Sequence, residues 1–409
     1  MHDTSTDIAR RTLLGAAALG GLGLALSGCA AEEHAPARAG LGRPDAERPS
    51  AHPGPSPEPE SGARAAGTLL LATLARGDEI AIIDPALQGT GAVVDTVRVG
   101  AAPWGAGVSP DGRTAYAATA EGLAVVDLAS RTRTGLVPYR HPAPAISSSE
   151  YRAGGLGLAV APDGSRVYVA VTDGSLSPGS SFLEVYDVET AAFTASVAVG
   201  IRPFDVLVAP DGAWAATVDH DGFSVTVVDA RTLDATTHRV APFGRAGGLA
   251  SWEKPHYGAV ADDGAILLPY QGLVVARLDP VSGEITMLES RADSHAHGTA
   301  LAGPRLVTVG TGAFGNARSG PNLSILDLET GRERIVPLDP PHETVAIWRD
   351  ASGAEFAAVA GGNTRDAGWD GITVVPLDAT AEEAETHRRI PTPGYPQVVV
   401  GFADRSGVG

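Results

Sequence analysis

The sequence of 409 residues contains one cysteine, Cys29, and one lysine, Lys254, among its 30 basic residues. A single cysteine excludes an intramolecular disulfide, so a packed core has to hold the fold together. The net charge of −18 offers no basic face, which argues against a nucleic-acid partner. Aromatic residues make up 5% of the chain, and no segment shows a sustained helical period. These absences favour an acidic, all-β protein.

The first 67 residues differ in composition from the rest of the chain. Arg10 and Arg11 precede an apolar stretch that is too short and too glycine-rich for a comfortable membrane span, as in a twin-arginine export signal. Residues 26–29 read Leu-Ser-Gly-Cys, which looks like a bacterial lipobox and predicts a lipid on Cys29. Residues 30–67 are rich in Pro, Ala and Glu, which indicates a disordered tether.

These segments predict three parts: an export signal over 1–29, a tether over 30–67 and a folded domain over 68–409. The expected location is extracytoplasmic, on the outer side of a bacterial cytoplasmic membrane. The lipid on Cys29 would be the only contact with that membrane, because no other segment is long and apolar enough to insert.

From residue 68 onward one unit recurs: a short apolar strand, a tight turn that is often Pro-Asp-Gly, and a returning strand. Seven copies follow one another at intervals of roughly forty to fifty residues, the period of propeller blades. The first strands of these copies begin at the following residues: Trp104, Leu156, Phe204, His256, His297, His342 and Gln397. Each repeat supplies four strands, so the predicted fold is an all-β, seven-bladed β-propeller.

The two ends of the domain complement each other. An apolar run that ends at Asp84 precedes the first copy, whereas nothing follows the strand that begins at Gln397. The last blade is therefore expected to combine three N-terminal strands with a C-terminal first strand. Such closure removes the exposed sheet edges that invite aggregation.

The repeats resemble the YVTN or YncE-like family of seven-bladed propellers, as in residues 160–170, VAPDGSRVYVA. The resemblance covers residues 68–409 and is specific for the fold. It implies little about activity, since propellers host unrelated functions. The repeats also resemble those of lactonase-type and streptogramin-lyase-type propellers, without a motif particular to either.

Long connections at one end of the propeller place the candidate site at the mouth of the central channel. Three histidines, His256, His297 and His342, begin the first strands of three consecutive blades and are expected to converge there, with His295 beside them. Three imidazoles with an open position are a known zinc arrangement, although other divalent transition metals also bind imidazole. The same histidines can instead hydrogen-bond water, backbone or a small ligand.

Several neighbouring residues complete the predicted site. Glu343, His220 and Asp219 are further candidate ligands. Trp104 and Phe204 are interpreted as packing plugs on the other side of the mouth. Glu150, Arg152 and Arg202 are expected to form surface ion pairs of little energetic value.

Three functions are compatible with these features. The first is a non-enzymatic binding protein that holds a transition metal, zinc favoured, or a small ligand on the long-loop face. The second is a lyase or lactonase with a channel histidine as general base. The third is a scaffold whose long-loop face binds a protein partner. Nothing in the sequence identifies a catalytic residue.

Overall fold

The computed structural model describes residues 68–149, 151–240, 254–270, 273–315, 317–362, 369–378 and 387–403. Within them lie seven four-stranded antiparallel sheets and one short 3-10 helix, Gly89–Ala92. This arrangement confirms the all-β seven-bladed propeller. The export signal with Arg10 and Arg11, the lipidation site Cys29, the tether and Glu150 lie outside the described residues.

The four strands of each sheet follow one another along the chain, except in the closing blade. Blade 1 consists of β4 (Ala106–Val108), β5 (Thr114–Ala118), β6 (Leu123–Asp127) and β7 (Thr132–Val137). Blade 2 consists of β8 (Gly154–Val160), β9 (Arg166–Thr172), β10 (Ser181–Asp187) and β11 (Ala192–Ala198). Blade 3 consists of β12 (Pro203–Val208), β13 (Trp214–Asp219), β14 (Ser224–Asp229) and β15 (Ala235–Arg239). Blade 4 consists of β16 (Ala259–Val260), β17 (Ile266–Pro269), β18 (Val274–Leu278) and β19 (Ile285–Glu289). Blade 5 consists of β20 (Ala296–Ala302), β21 (Arg305–Gly310), β22 (Asn322–Asp327) and β23 (Glu333–Pro337). Blade 6 consists of β24 (Val345–Arg349), β25 (Glu355–Ala360), β26 (Gly371–Pro376) and β27 (Arg388–Pro391).

The closing blade joins the two ends of the domain. Its strands are β1 (Thr68–Leu74), β2 (Glu79–Ile83), β3 (Val93–Arg98) and β28 (Pro396–Ala403), in the spatial order β28-β1-β2-β3. The C-terminal strand pairs with β1 in a register that sets Leu71 opposite Val400. The predicted closure is therefore confirmed, and the last strand of the chain serves as the innermost strand of the first sheet.

The recurrent glycines and aspartates form the tight turns that join the first strand of a blade to the second and the third to the fourth. Gly112 and Gly164 take φ values of 72° and 74°, which glycine adopts without strain. The carboxylate of Asp163 accepts hydrogen bonds from the backbone and hydroxyl of Ser165. Asp127, at the end of a third strand, accepts the same pair from Ser130. These Asx turns explain why the Pro-Asp-Gly and strand-ending Asp signals repeat.

The hydrophobic core lies between neighbouring blades, because both faces of each sheet are covered by another blade. Around the axis the innermost strands approach so closely that only glycine fits at some positions. A Cβ atom on Gly298 would lie 2.4 Å from the Cα of Thr344, and one on Gly105 would lie 2.3 Å from the carbonyl oxygen of Leu156. The innermost strands enclose a channel cavity of about 140 Å³.

Asp205 is the carboxylate that lines this channel. Burial raises its pKa to about 7, although the carboxylate accepts hydrogen bonds from the backbone N–H groups of Gly258 and Val206. Its ordinary pKa, which applies to the unfolded chain, is 3.8. The folded state therefore binds a proton more tightly than the unfolded state between these two pH values.

We expect Asp205 to contribute stability that is fully present below pH 4 and is lost as the pH rises through about 7. One pKa unit corresponds to about 1.4 kcal/mol. As the pH rises from 4 to above 7, the free energy of unfolding of the metal-free Asp205→Asn variant should therefore increase by up to about 4 kcal/mol relative to that of the wild type. Urea unfolding of both proteins at pH 4.5 and pH 8 measures this difference. If the two proteins differ in unfolding free energy by the same amount at both pH values, the expectation is wrong.

Candidate functional site

The mouth of the channel is formed by one residue from the start of each innermost strand. The residues that follow these positions line the channel together: Gly105, Gly157, Asp205, Tyr257, Gly298, Thr344 and Val398. The layer directly above them, here called the mouth ring, consists of Trp104, Leu156, Phe204, His256, His297, Glu343 and Gln397. Blade 6 thus contributes Glu343 to the mouth ring, where the sequence alignment had placed His342.

This one-residue shift turns the side chain of His342 away from the mouth. Successive residues of an extended chain point to opposite faces, so a shift of one residue exchanges the two directions. Nε2 of His342 lies 2.6 Å from the hydroxyl of Thr373 in its own blade and accepts a hydrogen bond from the indole of Trp369. Burial lowers its pKa to about 4. His342 is therefore engaged within blade 6.

Three other histidines meet at the mouth. The imidazole rings of His256 and His297 stack with their centroids 4.0 Å apart. The ring of His295 lies 5.0 Å from that of His256 and 4.9 Å from that of His297. One ring nitrogen from each of the three lies within 4.8 Å of the others, and all three residues are buried. These residues could hold one metal ion.

The backbone explains why blade 5 contributes two of these rings. His295 directly precedes β20 and His297 is its second residue, and their rings lie 4.9 Å apart. Backbone hydrogen bonds of His295 with Thr311 and Gly312 hold this start of the strand against the end of β21. His256 precedes β16 in the neighbouring blade, which brings residues about forty positions apart into contact.

Two further groups hold the outer sides of the cluster. Oε1 of the buried Glu343 lies 2.9 Å from Nδ1 of His297. Nε2 of His220, from the connection after β13, lies 3.1 Å from Nε2 of His256. Metal-binding histidines commonly have such a partner on the ring nitrogen that does not face the metal. His220 and Glu343 were both predicted as ligands, and the structure places them as hydrogen-bond partners of two of the three histidines, His256 and His297.

His220 is itself oriented by a carboxylate. Its Nδ1 lies 3.1 Å from Oδ1 of Asp221 without meeting hydrogen-bond geometry. A proton on Nδ1 would face this carboxylate and would leave Nε2 to accept from His256. Burial lowers the pKa of His220 to about 4, so its ring is neutral at neutral pH. A neutral imidazole is the form that binds a metal ion or accepts a hydrogen bond.

Asp221 links this histidine to two buried cations. Its carboxylate accepts hydrogen bonds from Nζ of Lys254 at 2.8 Å and from Nη1 of Arg202 at 2.5 Å. Burial opposes ionisation, yet the contacts with His220 and Lys254 lower the pKa of Asp221 below its ordinary value. Sequence reasoning missed this network and interpreted Arg202 as a surface residue, whereas its side chain is 11% exposed. The one available signal was that the only lysine lies two residues before His256.

Other predicted residues serve the packing of the mouth. The hydroxyls of Thr217, Ser224 and Thr226 hydrogen-bond to the Asp219 carboxylate, which keeps it within its own sheet. Trp104 and Phe204 pack together with Leu156, in agreement with their interpretation as plugs. Arg152 is buried and donates to backbone carbonyls, including that of Ala102, so it forms no surface ion pair.

Comparison with known proteins supports the fold and leaves the function open. No protein-family model and no curated protein matches the chain. Among solved structures, 1364 chains match. One is the hydrazine synthase of Kuenenia stuttgartiensis, at 16% identity and a TM-score of 0.53, over 74% of this chain and 96% of that chain. This likeness shows the propeller fold alone.

In the part of the chain that the structure describes, no helix has the length and apolar character needed to cross a membrane.

Proposed function

We propose that the protein is a binding protein that holds one divalent transition metal ion, zinc favoured, through His256, His295 and His297. The observation that carries this proposal is the convergence of three buried imidazoles, with one ring nitrogen of each within 4.8 Å of the others. Burying three imidazoles costs solvation that a shared metal ion would restore.

The donor set agrees with this choice of ion. Three histidine nitrogens with an open position are a common zinc site, in which each Zn–N bond is about 2.0–2.1 Å long. Imidazole also binds copper and nickel, and copper binds more tightly in general. The carboxylate on His297 and the imidazole on His256 supply the outer partners that orient metal-binding histidines. Zinc is favoured because none of the contacts imposes a square-planar geometry.

Metal analysis of the full-length protein tests the proposal. Protein purified without chelator should retain close to one equivalent of a transition metal, or take up one equivalent of zinc after metal removal. Less than about a tenth of an equivalent under both conditions contradicts a resident site, because three converging histidines bind zinc tightly.

We further propose that the propeller acts outside the cytoplasmic membrane, anchored by a lipid on Cys29. Support comes from Arg10, Arg11 and the residues before Cys29 in the sequence. In an expressing bacterium, radiolabelled palmitate should label the wild type and not the Cys29→Ala variant. Equal labelling of the two proteins excludes Cys29 as the lipidation site.

A further inference from the structure

The charged side chains in direct contact with the histidine cluster and with His220 balance one another before any metal ion binds. Among the described residues, Glu343 contacts His297 and Asp221 contacts His220, which together supply two negative charges. Lys254 and Arg202 pair with Asp221 and supply two positive charges. A divalent ion on three neutral histidines therefore adds two uncompensated positive charges to a buried site, and such charges require a counter-ion.

Neither carboxylate is free to act as that counter-ion on the metal. Glu343 is occupied by Nδ1 of His297 at 2.9 Å. Asp221 is shared between Lys254 and Arg202. A three-histidine site also leaves one tetrahedral position open. Neither of these two carboxylates can therefore fill the open position, which an anion from solution can occupy.

Buried N–H donors without an acceptor lie in or beside the mouth ring. Among the described residues, three such nitrogens have no hydrogen-bond partner: Nε1 of Trp104, Nε2 of Gln397 and Nε of Arg202. Oε1 of Gln397 has no partner either. An unsatisfied buried donor costs about as much as a lost hydrogen bond, so each points to a missing group. Water would satisfy donors, whereas an anion would also neutralise the metal.

Phe204 connects these donors to the metal cluster. The hydroxyl of Thr73 donates to the carbonyl of Trp104 and accepts from the N–H of Val398, which makes Trp104 and Gln397 neighbours. The ring of Phe204 lies 6.3 Å from Trp104 and 6.1 Å from His256. A small anion beside Phe204 would lie between the donors and the histidines.

We propose that the metal ion takes a small oxygen-donor anion, a carboxylate or bicarbonate, as its fourth ligand, held by the N–H groups of Trp104 and Gln397. One oxygen of the anion binds the metal, and the other accepts from these donors. The inference rests on the proposed metal site. It adds that the protein carries a metal–anion pair and binds each component more tightly in the presence of the other.

Cobalt substitution tests the inference on the full-length protein. Co²⁺ replaces the resident metal, and its visible absorption reports the ligand set. Titration with acetate, and separately with bicarbonate at constant ionic strength, should change the spectrum saturably and increase the Co²⁺ affinity about tenfold. The arm with the tighter response identifies which of the two anions the site prefers.

Two variants locate the anion. Trp104→Phe removes the indole N–H and keeps an aromatic plug, and it should weaken acetate binding about tenfold, as expected for one hydrogen bond to a charged group. Gln397→Leu serves the same purpose should the first variant fail to fold. Trp348→Phe is the matched control, because its indole N–H donates to the backbone of Thr68 away from the mouth.

The outcomes separate the two proposals. Absence of a Co²⁺ spectrum overturns the metal site and this inference with it. Co²⁺ binding with a spectrum that neither anion alters overturns the inference alone and leaves water as the fourth ligand. An anion response that persists in both Trp104→Phe and Gln397→Leu also overturns the assigned position.

Discussion

Replacing His297 by alanine should lower the zinc affinity of the full-length protein by more than about a hundredfold. Loss of a residue that only orients a ligand costs about 10–100-fold, and loss of a ligand costs more. His256→Ala and His295→Ala should behave alike, since the three rings form one group. Competition with a chromogenic chelator measures the affinities.

Matched variants make this result specific. His220→Ala removes only the partner of His256, so the zinc affinity of this variant should be about 10–100-fold lower than that of the wild type. His342→Ala tests the residue that the structure turns towards Thr373. His238→Ala is the control, because its ring lies against the carbonyl of Pro280 and its affinity should not change. Equal zinc affinity in the wild type and His297→Ala contradicts the proposed site.

Deleting the last strand should unfold the propeller rather than trim it. A chain that ends at Tyr395 lacks β28, which is hydrogen-bonded to β1 along its length. Val399 and Phe402 are buried in it, and each contributes about 1.5–3 kcal/mol through its burial. The deletion also exposes β1 as an unpaired edge, which promotes aggregation. Both effects act on a domain whose total stability is about 5–15 kcal/mol.

Thermal unfolding and size-exclusion chromatography measure this effect. The control is a chain that ends at Ala403, which retains all of β28. Adding a synthetic peptide of residues 396–403 should partly restore the fold, because a free strand can pair with an exposed edge. If the truncated chain melts at the temperature of the control, closure by β28 is not what stabilises the ring.

The number of blades and their closure could be predicted from the sequence because both depend on local signals. The Pro-Asp-Gly turns and the aspartates that end third strands form hydrogen bonds within a few residues, as Asp127 does with Ser130. Such signals repeat wherever the local structure repeats. The offset between Asp84 and Gln397 then required the two ends to share a sheet.

The candidate site was only partly predictable, because its membership depends on register. His256 and His297 occupy the expected positions, whereas blade 6 places Glu343 where His342 was expected. A slip of one residue leaves the hydrophobic pattern of a short strand nearly unchanged, yet it reverses the side chains. The connection before β24 carries no local signal strong enough to set that register.

By itself the sequence determined the fold class, the blade count and the approach of histidines from successive blades, because periodicity and turn chemistry are local properties. Only the tertiary structure decided which polar groups meet. The pairs Glu343 with His297, His220 with His256, and Lys254 with Asp221 each join different blades or connections. Their contacts depend on angles between packed sheets, and the packing of seven blades around one axis sets those angles.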